Sequence, residues 1–249
     1  MCNGHPERVY LGYRFRTDVL LLTTQLKAPF VFDLDDVAVW GPLTDALLSL
    51  ASSLAIAAST TLGIDVRELQ SGYRLTRTAN EAKAAIYLYD ALAGGAGYSR
   101  IAGENFTEVF ANAKQLLGHC SNPECRNSCT QCLRSYGNRL VHARLDRQIA
   151  LDLARYIEAG TAPSAYSIQQ QQTILAPLRE MLELEGWSLR DDGQSALLAT
   201  KDKKSHRIGL IPSLLDTSGR ATDDPSAELI FRKYDIERDL PTCLSTVTD

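Results

Sequence analysis

CSNPECRNSCTQCLRSYGNRLVHARLDR, Cys120 to Arg147, places four cysteines within thirteen positions and follows them with arginines, an asparagine and a histidine. Only two other cysteines, Cys2 and Cys243, occur in 249 residues. Cys120, Cys125, Cys129 and Cys132 have the spacing C-x4-C-x3-C-x2-C. A tetrahedral Zn²⁺ site takes four thiolates, and short hooks of this kind offer them with little loop to order. Asn122, Pro123, Asn127 and Ser128 favour tight turns that aim backbone N–H groups at sulfur. Bound zinc contributes on the order of 10 kcal/mol to the folding of such a knot, enough to order a loop with almost no apolar content.

Three other uses of the sulfurs compete. The N-terminal stretch MCNGHPERVY has no apolar core suited to secretion, so a cytoplasmic location with reduced thiols is expected and disulfides are disfavoured. Redox catalysis calls for one C-x-x-C pair beside a thioredoxin-like strand. An iron–sulfur cluster uses the same four thiolates, and spacing alone leaves it open. Structural zinc is the preferred reading, and four thiolates close the coordination sphere against a catalytic water. His119 and His142 read as surface histidines beside the metal, and Cys2 and Cys243 as ordinary thiols.

The elements on either side place the cluster in a loop between two amphipathic helices. Upstream, Glu104–Leu117 sets Phe106, Val109, Phe110, Ala113, Leu116 and Leu117 on one helical face; downstream, Asp146–Ala159 repeats Ile149, Leu153, Tyr156 and Ile157, with Gly160 as a stop. Further out, Val9–Leu22 alternates as a strand with one wet face. Thr44 to Gly63 predicts a long helix buried on most sides, N-capped at Thr44. Gly72–Arg77 and Ala84–Tyr89 predict two strands about a turn. The densest apolar stretch of the chain, Ala46–Ala58, is interrupted by Ser49, Ser52 and Ser53 and falls short of a membrane span. From Gly160 to Pro177 the composition turns to Pro, Ser and Gln and reads as a linker or irregular crossover. Beyond it, Leu178–Glu185 predicts a helix, and Ser195–Thr200, His206–Ile211 and Ala227–Tyr234 predict strands. The expected fold class is α+β: a zinc-stabilised domain of strands and amphipathic helices over residues 1–162, and a linker with a small α+β appendage over 163–249.

The formal charge of -4 is uneven: Lys and Arg balance Asp and Glu at 16 each over residues 1–160, whereas residues 161–249 carry 10 against 14. Between Arg126 and Arg155 six arginines face only Asp146 and Asp152. Such a patch suits phosphate as well as it suits a solvated helix face.

The cysteine cluster together with LRSYGNRLVHARLDR, Leu133 to Arg147, resembles the MrfA-like zinc-binding (MZB) domain, found at the C-terminal end of superfamily 2 DNA helicases and in the DISARM defence protein DrmB. LGYRFRTDVL, the long helix followed by GID, and IYLYDALAGGAGYSR agree with that family in order, so the resemblance spans about Tyr10 to Ala159. It implies a Zn²⁺-bearing module that works beside a DNA-translocating ATPase, in cis or in trans, in DNA repair or anti-phage defence. The chain holds no G-x-x-x-x-G-K-[ST] phosphate loop, and FDLDD at Phe32–Asp36 is not a helicase DEAD or DEAH box, so no ATPase activity is expected from it.

Remaining motifs are weaker. DALAGGAGYSR, Asp90 to Arg100, suits either an anion-binding corner or a tight strand-to-helix turn, the latter preferred. His142-x-Arg144 lacks the lysine of phospholipase-type nucleases, and Asp191, Asp192, Asp223 and Asp224 near KDKK read as loops, so no catalytic residue is assigned. Arg134, Tyr136, Asn138, Arg139, Arg144 and Arg147 are the nucleic-acid candidates, with a competing role for Arg134 and Asn138 in capping the knuckle and for Asp146–Arg147 in starting the next helix. The function expected is non-catalytic: DNA holding and docking to a motor, against a rival reading as a protein-interaction scaffold that never touches DNA.

Overall fold

The structure is a computed structural model that describes residues 12, 14–27, 41–78, 81–191, 196–215 and 227–249. In chain order its elements are β1 (Val19–Leu26), α1 (Pro42–Leu62), β2 (Leu69–Thr78), β3 (Glu81–Asp90), α2 (Tyr98–Glu104), α3 (Phe106–Gly118), α4 (Arg147–Ala159), α5 (Ile168–Leu184), β4 (Ser188–Arg190), β5 (Leu197–Lys201), β6 (Lys204–Ile211), β7 (Leu229–Arg232), α6 (Lys233–Arg238) and α7 (Leu240–Thr248). A 3-10 segment, Tyr136–Arg144, connects the cysteine loop to α4. The fold class is α+β, as the sequence predicts.

Helix α1 is the centre of the larger core. It starts earlier than expected, because Pro42 occupies the first turn, where its missing N–H costs nothing, and Gly41 stands at the cap. Thr44 instead donates its hydroxyl to the Gly41 carbonyl at 2.9 Å. Gly63 ends the helix in the left-handed region at φ 66°. The antiparallel sheet β1-β3-β2 covers one side of α1, and α3 and α4 cover another. By length and composition α1 is long and apolar enough to cross a membrane, but its burial between these layers accounts for that apolarity. Leu47 and Leu50 are fully buried, and truncating either to Ala costs about 2–5 kcal/mol.

A stripe of small polar residues, Asp45, Ser49 and Ser53, runs along α1 at helical spacing and is buried. Ser49 Oγ accepts the Asp146 N–H at 2.8 Å, which fixes the start of α4. Asp146 in turn caps α4, accepting from the N–H groups of Gln148 and Ile149 at 2.9 and 3.3 Å. Burial pushes its pKa up.

Some sequence expectations shift. The strand predicted at Val9–Leu22 begins only at Val19, and Val9 to Leu11 and Tyr13 lie outside the described residues. Leu20 and Leu22 pack on the core, so Val19 and Leu21 point away from it. The Gln-rich stretch that reads as a linker is helical: α5 opens at Ser167 through a capping box with Gln170 and carries Pro177 inside it. Of the predicted strand Ala227–Tyr234 only Leu229–Arg232 is extended, after which α6 begins. β4 and α7 have no counterpart in the sequence expectations; both are short, which leaves little periodicity to read.

The second core joins α5, α6 and α7 to the sheet β4-β5-β6-β7, antiparallel except between β6 and β7. It meets the first core through α6. Tyr234 donates its hydroxyl to Asp45 at 2.7 Å, Lys233 bonds Gln148 at 2.6 Å, and the Arg238 guanidinium reaches the Ala143 carbonyl.

Acidic groups crowd this seam. Burial raises the pKa of Asp152 to about 6, opposed by Arg155 and Lys233 and reinforced by Asp146. A carboxyl raised in the folded state favours folding below its unfolded value, and that contribution is lost as pH rises through about 6. At neutral pH the penalty reaches at most roughly 3 kcal/mol. Asp152→Asn is therefore expected to resist urea better than the parent at pH 8, with the difference shrinking steadily as the buffer is taken toward pH 4.

Candidate metal centre

The chain leaves α3 at His119 and returns to α4 at Arg147, and between them four sulfurs converge. Cys120 and Cys129 Sγ lie 3.5 Å apart, Cys125 and Cys132 3.8 Å, and Cys129 and Cys132 3.9 Å; all four fall within 4.8 Å of one another. A Zn–S bond of about 2.3 Å in a tetrahedron sets sulfurs about 3.8 Å apart, so this donor set fits Zn²⁺. Cys125 and Cys132 are buried, and Cys120 and Cys129 are half-buried.

Local turn chemistry explains the convergence. Asn122 accepts the Glu124 N–H on its side chain at 3.0 Å and the Cys125 N–H on its carbonyl at 3.1 Å, which folds the first hook. The Cys129 carbonyl accepts from Cys132 and Arg134 N–H at 3.1 and 3.0 Å, which folds the second. The Cys129 and Gln131 N–H groups point at sulfur, at 3.1 Å from Cys132 and 3.4 Å from Cys129. Buried Ser128 ties the loop to the start of α4 by donating to the Leu145 carbonyl at 2.8 Å.

Without a cation this packing opposes ionisation at the two buried sulfurs. Burial, with neighbouring thiols, pushes the Cys125 pKa up to about 12, and burial raises Cys132 as well. Burial also works against the Cys129 thiolate, but the Gln131 N–H and the adjacent thiols bring its pKa down to about 7. Zn²⁺ supplies the positive charge that lets all four ionise together, and the resulting net negative centre finds the Arg147 guanidinium bonded beside Cys125.

The six nucleic-acid candidates divide by their partners. Arg147 donates to the Leu117 carbonyl at 3.0 Å and to that of Cys125 at 3.4 Å, clamping the loop to the end of α3. Arg144 pairs with buried Asp45 at 2.7 Å and donates to the Tyr73 hydroxyl at 3.1 Å. Burial works against the Arg144 charge, but these two bonds raise its pKa. Arg134 Nε donates to Ser128 at 2.9 Å. Asn138 donates to the Leu133 carbonyl at 2.7 Å and accepts the Ser135 N–H at 2.8 Å. Tyr136, by contrast, is 81 % exposed, and Arg139 stacks its guanidinium 4.3 Å from the centre of that ring.

Other sequence candidates lie apart from the sulfurs. His142 Nε2 sits 2.9 Å from both the Ser135 carbonyl and Asn138 Oδ1, two acceptors, so this nitrogen carries the proton. His119 caps the end of α3. Cys243 is buried in the second core, where burial pushes its pKa up to about 12. Cys2, FDLDD, Asp192, Asp223 and Asp224 lie outside the described residues. KDKK forms the β5–β6 turn, and its Lys201 and Lys204 donate to the Glu185 and Thr248 carbonyls at 2.6 and 2.9 Å.

The glycine-rich corner turns out to hold an anion of its own. Asp90 is fully buried and accepts from the N–H groups of Ala96, Tyr98 and Ser99 at 2.6, 3.1 and 2.8 Å. Gly94, Gly95 and Gly97 adopt positive φ to wrap the loop round that carboxylate. Burial alone would raise the Asp90 pKa, but these amide bonds hold it below the usual value.

Fold and donor set together define a zinc-binding α+β module. Residues 50–133 match the model of the MrfA Zn-binding domain. The match contains all four cysteines and is narrower than the span from Tyr10 to Ala159 over which the motifs agree. Druantia protein DruE of Escherichia coli (strain UMEA 4076-1) is 34% identical over 252 residues, covering 97% of this chain and 14% of that protein. The chain thus spans about one-seventh of the curated relative it matches. Two crystal structures of the DUF1998 helicase MrfA also align, one bound to DNA (TM-score 0.35, 21% identity, 45% of this chain and 14% of that chain) and one bound to DNA and AMPPNP (0.34, 19%, 53% and 15%).

Zinc uptake at this centre is expected to release protons, and its affinity to fall by about two or more logarithmic units per pH unit on acidification, read by competition with a chromophoric chelator. Arg144→Ala, which strips buried Asp45 of its cationic partner, is expected to cost about 3–5 kcal/mol in urea unfolding.

Proposed function

We propose that this chain is a non-catalytic, zinc-stabilised accessory module of a cytoplasmic helicase-type DNA repair or anti-phage defence system, which helps to hold DNA and docks to a motor ATPase in cis or in trans. The observation that carries the reading is the coincidence of a four-thiol, zinc-compatible cluster with the segment that matches the MrfA Zn-binding domain. Cys120, Cys125, Cys129 and Cys132 are its metal ligands. The zinc closes the loop without an open coordination position, so its role is to hold shape. Residues 1–162 form the zinc module, and 163–249 form the appendage that buttresses it through α6.

In this reading the six candidates share the work. Arg144, Arg147, Arg134 and Asn138 fix the knuckle from within. Tyr136 and Arg139 meet DNA: a guanidinium stacked on an exposed ring offers a phosphate contact and a stacking face together.

One observation favours a protein-interaction scaffold instead. A cleft of about 550 Å³ lies between α1, the start of β2 and the 3-10 segment, lined in part by Ile56, Val66 and Tyr136, and Leu140 nearby is 90 % exposed. Salt separates the two readings. DNA affinity of the 249-residue chain is expected to fall steeply with salt, and Arg139→Ala to weaken it and flatten the slope of log K against log salt by about one. Absence of DNA retention, or an affinity indifferent to both salt and Arg139→Ala, overturns DNA holding in favour of the scaffold.

A further inference from the structure

The bonds that hold Arg147 account for only part of it. Its terminal nitrogens donate to the last carbonyls of α3, Leu117 at 3.0 Å and Gly118 at 3.5 Å, and to the Cys125 carbonyl at 3.4 Å. Its backbone N–H donates to the Asn127 carbonyl at 2.8 Å, so main chain and side chain both grip the cysteine loop. Nε, by contrast, is buried and has no hydrogen-bond partner among the described residues. A buried charged donor left without a bond is costly.

Its charge is equally short of partners. Arg144 has a carboxylate in Asp45 at 2.7 Å, whereas among the described residues no carboxylate stands within salt-bridge distance of the Arg147 guanidinium. Arg147 is also the first residue of α4, where the helix dipole disfavours a cation. The carboxyl end of α3 offers a fractional negative charge only. The remaining neighbour is the Cys125 thiol, 8% exposed, which the guanidinium lies against. Four thiolates around one Zn²⁺ make a doubly negative centre at that place.

We infer that Arg147 is the counter-cation of the zinc centre, set at the head of α4 to offset the charge of the metal-bound Cys125 thiolate and so to strengthen retention of the metal. A positive charge beside a coordinated sulfur favours the loaded, ionised form and lowers the energy of the sulfur electrons. A side chain that served only to clamp carbonyls would act on loop geometry and leave those electrons as they were. The assignment rests on the zinc reading of the four cysteines. It gives the charge of Arg147, a nucleic-acid candidate by sequence, an occupant inside the protein.

The test loads the 249-residue chain with Co²⁺, whose sulfur-to-metal charge-transfer band reports the thiolate electrons, and measures zinc affinity in parallel by competition with a chromophoric chelator. Arg147→Met is expected to weaken zinc by about 10- to 100-fold and to move the band to longer wavelength. Arg147→Lys, which restores the charge without the two-pronged fork, is expected to recover most of both. Should Arg147→Met not fold, Arg147→Gln, which keeps a donor for the carbonyls and drops the charge, carries the same comparison. A band at the parental wavelength in the neutral variants, or an equal loss of affinity with lysine and with a neutral side chain, overturns the inference and leaves the zinc reading standing. A parent chain that shows no tetrahedral Co²⁺–thiolate spectrum overturns both.

Discussion

Four sulfurs within 4.8 Å of one another cannot all carry charge unless a cation stands among them. That constraint organises the middle of the molecule. The loop from Cys120 to Leu133 buries almost no aliphatic side chain except Leu133, so its order comes from turn hydrogen bonds and from the metal those turns prepare. Leu133 is fully buried and follows Cys132 directly, so the knuckle is nailed to the hydrophobic core at the residue where the sulfur pattern ends. The Arg147 clamp on the Leu117 and Cys125 carbonyls then makes α3, the loop and α4 one rigid piece.

A second constraint is the buried charge at Asp45. A carboxylate 1% exposed on an apolar helix requires partners, and it has two from different parts of the chain: Arg144, just before α4, and Tyr234, in α6 of the appendage. Buried ion pairs contribute little net stability compared with apolar replacements, but removing one partner is costly, so such a node favours one docking arrangement over many. Asp45 therefore ties zinc loop, central helix and appendage together. Sulfur chemistry orders the loop, and buried carboxylate chemistry sets the appendage against it.

The sequence discloses this architecture unevenly. The cysteine spacing, the amphipathic face of α3 and the stop at Gly160 can be read directly, because each depends on neighbours in the chain. Asp45 is legible only as an oddity, a lone acid in the first turn of a helix of Ala, Leu and Ser, because its partners lie 99 and 189 residues away. Asp90 is similar: an aspartate four residues before a glycine run hints at a carboxylate cradled by amides, but the same letters fit an external anion. The Gln run of α5 misleads because polar composition resembles a linker, whereas the Ser167–Gln170 capping box and inward-facing Leu175, Leu178 and Leu182 make it a helix. The arginines mislead most, since charge in sequence says nothing about whether a guanidinium is already engaged.

Internal engagement of polar groups decides where function can reside. Asp90 consumes the amides of the glycine corner, Asp45 and Tyr73 hold Arg144, and backbone carbonyls hold Arg147. A group saturated by internal bonds must break them to bind anything else, and each buried bond to a charge is worth about 1.5–3 kcal/mol. External recognition therefore falls to side chains that the fold does not use in this way. Tyr136 is one such place: it is 81 % exposed and offers a ring face beside the Arg139 guanidinium, whose hydrogen bond to the Tyr136 carbonyl at 3.2 Å is itself exposed to solvent. In the proposed DNA-holding reading, an exposed ring with a cation stacked on it suits a polyanion with planar bases, because a base can stack and a phosphate can pair at the same place.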